Sequence, residues 1–377
     1  MKIKEDAVLS GYEPAKLEDW YRKNYFENDI DISGSGVEEY TFKAIQEIGN
    51  FDFNELMNER LVDGPTVGGM LVRQQIASKF GNGDPDMVLT TNGGNEALQL
   101  AVRAVVEPND EVITLGPCYH CHDKIALSMG CVVRKWNIDI ENGYELDVRQ
   151  LEGLVSNKTK LLVMNFPHNP TGKCLKDDEL ERVVELAKRY NIYILWDAVF
   201  QRLVYDRDPL PDPISIYDKT ISIGTFSKFI GAGGLRFGWL LANGEIIESC
   251  IRQKDYGNLY VSPLIEFVAH NILSNVEGFV GPRINQTARN RFIVDKWISD
   301  NKTYCNWILP DGGACGIMRI NQCNDADTFC SKLLQEHGVL LVPGTCFGLQ
   351  GYVRIGFGCS EDMLNSGLSR LRHFLSS

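Results

Sequence analysis

The middle of the chain alternates short apolar runs with longer stretches of helical spacing. The runs at 87–90, 111–115, 160–165, 192–197, 220–224 and 238–242 are rich in β-branched or bulky residues and have the length of strands. Between them, 95–106 and 177–189 place apolar residues three and four apart, which predicts amphipathic helices. Largely apolar strands separated by helices predict an α/β fold: a mostly parallel sheet joined by right-handed crossovers, with helices on both faces. Ligands of such sheets gather beyond the carboxyl ends of the strands. The polar and glycine-rich residues that follow each run are therefore where chemistry is to be sought. After about residue 281 the pattern changes, with 283–298 reading as one long amphipathic helix and the remainder mixing strands and helices. The expected organisation is an N-terminal arm over 1–40 that completes the small domain, a large domain over 41–280, and a small α+β domain over 281–377.

Composition narrows the class. A chain of 377 residues with 44% hydrophobic and 23% charged residues has the make-up of a soluble globular protein. A net charge of −12 argues against nucleic acid as a partner, since that needs a basic face. The 11 cysteines are an odd number at irregular intervals, so no disulfide framework is expected and reduced thiols in a cytoplasm are the simplest reading. Met1 leads into a charged segment rather than an apolar signal core, and no stretch approaches the roughly 20 apolar residues of a membrane span.

Chemistry enters at Gly224-Thr225-Phe226-Ser227-Lys228, directly after a buried run. Burial lowers the proton affinity of a lysine, and a lysine so placed forms Schiff bases readily. Arg236 follows within Gly233-Gly234-Leu235-Arg236-Phe237-Gly238, where glycines admit a ligand to the backbone and a guanidinium suits phosphate. Thr91-Asn92-Gly93-Gly94-Asn95-Glu96-Ala97 opens a helix after a strand and offers free N–H groups to an anion. Asn165-Phe166-Pro167-His168-Asn169-Pro170-Thr171-Gly172 is a proline-punctuated turn presenting Asn169. Asp197 ends an apolar strand, and a buried carboxylate there needs a cationic or donor partner such as a pyridinium N–H. Each feature alone has a bland reading, but together they fall in order at successive strand ends.

In this combination the sequence resembles the aminotransferase class I and II family of fold type I pyridoxal-phosphate enzymes, over nearly its whole length. The resemblance implies pyridoxal 5'-phosphate as cofactor and a homodimer. It makes Lys228 the Schiff-base lysine and the base at Cα, Asp197 the partner of the ring nitrogen, and Asn169 that of the ring 3-oxygen. Tyr119, in Pro117-Cys118-Tyr119, would stack on the ring, and Gly94, Asn95, Thr225 and Arg236 would hold the phosphate. Arg354, in Tyr352-Val353-Arg354-Ile355-Gly356-Phe357, would take the substrate carboxylate, with Asn169 and Gly36 beside the substrate. Two positions depart from the family pattern. Phe200 stands where a tyrosine would donate to the ring 3-oxygen, so the Schiff base is expected to keep its proton to higher pH. Asp63 stands where a tyrosine would reach the phosphate of the neighbouring subunit, so it must face elsewhere or meet a cation.

Within the family, Leu17-Glu18-Asp19-Trp20-Tyr21-Arg22, Asp31-Ile32-Ser33-Gly34-Ser35-Gly36-Val37, the turn Asn165–Gly172, Ser262-Pro263-Leu264-Ile265-Glu266 and Pro343-Gly344-Thr345-Cys346-Phe347-Gly348 resemble the subgroup of cyclases that act on hydroxylated arginine. That subgroup includes those forming capreomycidine or enduracididine. The resemblance implies a cationic amino-acid substrate that loses its hydroxyl and closes its guanidine onto Cβ or Cγ. Candidates for the guanidinium and for acid catalysis are Glu38, Asp63, the acidic segment around Glu5 and Asp6, and His120 beside Tyr119. Cys118, His120, Cys121 and His122 superficially suggest a metal site, but no second ligand pair follows, and no metal is expected. The rival readings are an aminotransferase using a 2-oxo acid, an arginine oxidase or hydroxylase, and an inert cofactor-binding regulator. Retention of Lys228, Asp197, Asn169 and Arg354 argues against the last.

Overall fold

The computed structural model describes residues 13–58, 60 and 62–376. After a helix, Lys16–Asn24, the chain forms β1 (Ile30–Asp31). The central sheet then takes β2 (Val88–Thr91), β3 (Glu111–Gly116), β4 (Val132–Asn137), β5 (Thr159–Asn165), β6 (Tyr193–Asp197), β7 (Thr220–Thr225) and β8 (Gly238–Leu241). Its order is β2-β8-β7-β6-β5-β3-β4. Strands β3 to β7 run parallel, while β8 is antiparallel to both β2 and β7. Helices cross over between the strands, and Trp136, Trp196 and Trp239 are among the side chains they bury. This is the mostly parallel sheet that the apolar runs predict.

Register delivers the chemistry to one edge of that sheet. Asn165 pairs with Asp197, Asp197 with Ile223, and Gly238 with both Thr91 and Thr225. Because β8 runs backwards, its first residue lies level with the last residues of its neighbours, and Arg236 enters at the same edge. The crowding there explains the glycines. A methyl group on Gly238 would lie 2.8 Å from the Gly93 carbonyl carbon, and one on Gly224 would lie 2.2 Å from the Trp239 ring.

A second sheet, of order β12-β13-β10-β9, joins β9 (Cys305–Trp307), β10 (Cys315–Ile320), β12 (Val342–Pro343) and β13 (Tyr352–Gly356) in antiparallel pairs. The strand β11 (Val339–Leu340) pairs in parallel with β1, so the N-terminal arm packs onto the C-terminal part of the chain. Trp20 Nε1 donates to the Leu341 carbonyl at 2.9 Å and fastens the N-terminal helix to the same place.

Two elements differ from expectation. The edge strand β4 is not among the predicted runs, because its sequence Val-Val-Arg-Lys-Trp-Asn alternates burial rather than being apolar throughout. Its cations are tethered to the neighbouring strand: Arg134 to Glu111 and Lys135 to Thr114. The long helix runs Val276–Asp300 and begins before residue 283, continuing through Pro282. Burial of Val276, Phe279 and Val280 outweighs the missing N–H, a penalty of about 3 kcal/mol in a helix interior.

Candidate active site

A cavity of about 490 Å³ opens where the strand ends meet the N-terminal arm. Gly94, Asn95, Tyr119, Asn169, Asp197 and Thr225 all line it, as do Lys228, Arg236, Arg354 and Gly36. These ten expected residues thus come together from seven segments spread over most of the chain.

One side of the cavity gathers hydrogen-bond donors. Gly94 begins the helix Gly94–Val105, whose first N–H groups have no partner within the helix. Thr225 and Ser227 add hydroxyls, with Thr225 Oγ1 fixed on the Phe237 carbonyl at 3.0 Å. Arg236 sits in the left-handed region at φ 52, and its Nη1 is steadied by the Gly233 carbonyl at 3.2 Å. Its guanidinium lies against Gly93, itself at φ 87, where a methyl group would come within 2.5 Å of Nη2. A cation and a helix N-terminus converging in this way suit a phosphate.

Deeper in, Asp197 is 4% exposed, yet among the described residues no lysine or arginine forms a salt bridge with it. His122 Nε2 lies 2.8 Å from Asp197 Oδ2, and the Val199 N–H donates to Oδ1. A carboxylate buried this way calls for a positive partner from the cavity, which a protonated pyridine nitrogen supplies. Asn165 holds the Asp197 carbonyl at 2.8 Å and the Asn169 N–H at 3.1 Å, so the two are kept in register. His168 locks the same turn. Its ring nitrogens meet the Pro117 carbonyl and the Thr171 hydroxyl, each at 2.8 Å, and burial drives its pKa down to about 3. The imidazole is therefore neutral, donating to the Pro117 carbonyl and accepting from Thr171. Tyr119 follows that carbonyl closely, and its hydroxyl rests between Asn95 at 3.2 Å and Glu18 at 3.4 Å. This donor set fits pyridoxal phosphate: donors and a cation for the phosphate, Asp197 for the ring nitrogen, Tyr119 and Asn169 beside the ring, and Lys228 for the aldehyde.

Lys228 Nζ is 3.0 Å from Ser35 Oγ and 5.7 Å from the Phe200 ring centre. Desolvation first, and the positive charge of Arg354 second, bring its pKa down to about 8. Arg354 is 1% exposed. Its guanidinium donates to the Ser33 carbonyl at 3.0 and 3.2 Å, to Asn169 Oδ1 at 3.1 Å and to the Tyr21 hydroxyl at 2.7 Å. Neutral acceptors hold it in place while its charge stays available to a carboxylate.

The acidic candidates fare differently. Glu38 accepts from Arg283 at 2.9 Å and Gln286 at 2.7 Å, and does not line the cavity. Asp63 is exposed and accepts from the Tyr260 hydroxyl, also away from the cavity. His120 lines an adjoining cavity instead, with its Nδ1 buried and unpartnered. Glu5 and Asp6 lie outside the described residues. Besides Asp197, the carboxylates that do line the cavity are Glu18, Asp31 and Glu39, none of which carried a predicted role. Glu18 and Asp31 belong to the two N-terminal motifs, so the resemblance held the signal without saying which residue mattered.

The aminotransferase class I and II family model matches residues 36–371. Capreomycidine synthase from Streptomyces vinaceus is 36% identical over 368 residues, covering 96% of this chain and 94% of its own. Among solved structures, the pyridoxal-phosphate-dependent cyclase OrfR superposes with a TM-score of 0.92 at 32% identity, covering 97% of both chains. A pyridoxal-phosphate-dependent aminotransferase from Streptococcus suis 89-1591 has a TM-score of 0.92 at 30% identity, covering 97% of this chain and 98% of its own. With the sheet, the donor set and these relatives in agreement, the chain belongs to the aminotransferase class I and II family and is a pyridoxal-phosphate-dependent enzyme of the fold type I architecture.

Proposed function

We propose that this enzyme is a cyclase acting on a hydroxylated L-arginine, converting it with loss of water into a cyclic guanidino amino acid such as capreomycidine or enduracididine. The observation that carries this reading is the distribution of charge in the cavity. Arg236 is allotted to the phosphate, Asp197 to the ring nitrogen and Arg354 to the substrate carboxylate. Three carboxylates then remain, Glu18, Asp31 and Glu39, and no salt bridge neutralises them among the described residues. A substrate with a cationic side chain completes the balance. Glu18 is the nearest of them to the chemistry, since its charge is felt at Lys228 and its carboxylate meets the Tyr119 hydroxyl. The relationship to capreomycidine synthase and to a cyclase of known structure supports the same reading.

Bound pyridoxal phosphate supplies the electron sink that makes the Cα–H bond acidic. Arg354 fixes the substrate by its carboxylate and so points Cα at Lys228. Lys228, once its amine is free, takes the proton from Cα and later returns one there. Asp197 keeps the ring nitrogen protonated. Glu18 holds the guanidinium, which limits where its nitrogens reach and favours intramolecular attack over water. Because the amine ends where it began, no amino acceptor is consumed.

The test is incubation with 3- or 4-hydroxy-L-arginine in the absence of any 2-oxo acid. A cyclic product at unchanged total amine is expected. Turnover only when a 2-oxo acid is added identifies an aminotransferase, and consumption of oxygen identifies an oxidase. Either result overturns the cyclase assignment.

A further inference from the structure

The turn 33–36 enters the cavity from the N-terminal arm and touches two cationic groups at once. Its Ser33 carbonyl receives Arg354, and its Ser35 hydroxyl receives Lys228. Ser35 is 6% exposed and lines the cavity. Backbone bonds clamp the turn on both sides: Val37 N–H to the Lys228 carbonyl at 3.0 Å, Gly356 N–H to the Ile32 carbonyl at 2.8 Å, and Glu38 N–H to the Gly358 carbonyl at 2.7 Å. There is no slack around it. A methyl group on Gly36 would lie 2.9 Å from the Ser227 carbonyl oxygen, and one on Gly356 would lie 2.1 Å from that of Gly34. The Ser35 hydroxyl is therefore aimed by packed backbone. Among the described residues it is the hydrogen-bond acceptor of the Lys228 amine, while Phe200 presents only an aromatic face. The other groups that face the amine are Arg354, Asp197, Glu18 and the Cys315 thiol.

We propose that Ser35 is a positioning residue, whose hydroxyl holds the Lys228 amine, whenever that amine is not bonded to the cofactor, at the place from which it reaches the Cα of a substrate anchored on Arg354. The turn then acts as a spacer between base and carboxylate anchor. This rests on Lys228 being the lysine that carries the cofactor, and is independent of whether the reaction is a cyclisation or an amino transfer.

The experiment follows capture of added pyridoxal phosphate by the full-length protein after its cofactor has been removed, reading Schiff-base absorbance as a function of pH. Capture requires the unprotonated amine, so its rate rises with pH through the lysine pKa. A hydrogen bond to the ammonium favours the charged form, so Ser35→Ala is expected to move the midpoint of that rise down by about one unit. Ser35→Thr, which keeps the hydroxyl, is expected to hold the midpoint of the unaltered protein. An unmoved midpoint in Ser35→Ala overturns the proposal, and so does an equal shift in both variants, which would report damage to the turn rather than loss of a hydroxyl. Borohydride reduction and peptide mapping of the same samples separate the two levels. A label away from Lys228 sinks the assignment of the lysine, whereas a label on Lys228 with an unmoved midpoint sinks only the role of Ser35.

Discussion

Glu18 draws its proposed role from its surroundings alone. On the surface of the helix Lys16–Asn24 it would be an ordinary solvated acid. Inside the cavity it accepts from the Tyr119 hydroxyl, and its charge is felt at Lys228 and His120. Glu18→Gln keeps the shape and removes the charge, so KM for a hydroxyarginine is expected to rise on the order of 10-fold while bound cofactor stays unchanged. Steady-state kinetics alongside the absorbance of the holoenzyme measure both, and an unchanged KM would reassign the guanidinium to Asp31 or Glu39. Lys228, Asp197, Asn169 and Arg236 are legible in the sequence because each lies at or beside a strand end, where a local pattern announces it. Glu18, Tyr21, Ser33 and Ser35 are not, since what aims them is a two-residue strand pairing with another some 300 positions away, too short to leave a periodic trace.

At the scale of the element, the strand-to-helix turn at 92–95 and the proline turn at 166–172 are rigid for different reasons. The first depends on a backbone conformation that side chains disfavour. Gly93→Ala adds a methyl both at positive φ and against Arg236, so a cost of about 1–3 kcal/mol is expected, with cofactor affinity falling at least about 10-fold. Equilibrium dialysis of the cofactor and thermal unfolding read the two effects. The second turn depends on a neutral imidazole. The pKa of His168 falls from 6.5 in the unfolded chain to about 3 in the folded one, so below 6.5 the unfolded state binds the extra proton. Stability is therefore expected to fall as pH drops from about 6.5 toward 3, at up to about 1.4 kcal/mol per unit. His168→Gln should be less stable at neutral pH, yet show a flatter decline across that window in denaturant titrations. The helices at Gly94–Val105 and Asp177–Tyr190 were readable from spacing alone. Strand β4 and the start of the helix Val276–Asp300 were not, because an edge position and tertiary packing override the local pattern there.

The whole molecule can be viewed as one sheet edge closed over by the two ends of the chain. The central sheet aligns the groups proposed to hold the cofactor, which lie between residues 91 and 238. The groups proposed to choose the substrate come from residues 17–39 and from β13. This division explains why the family was plain from the middle of the sequence while the substrate class was not. The same scaffold serves an aminotransferase and a cyclase among its relatives, each matched over nearly its whole length, so the difference lies in side chains rather than in the fold.

The bonds between Arg354 and Ser33 span 321 positions, as does that between Trp20 and Leu341. A nascent chain therefore emerges with its cofactor groups in hand long before its substrate groups can meet. Synthesis must run nearly to the last helix before the opening turn finds the strand that holds it. Only once β13 has been made are the groups proposed to meet the phosphate, the aldehyde and the substrate carboxylate all present in one polypeptide.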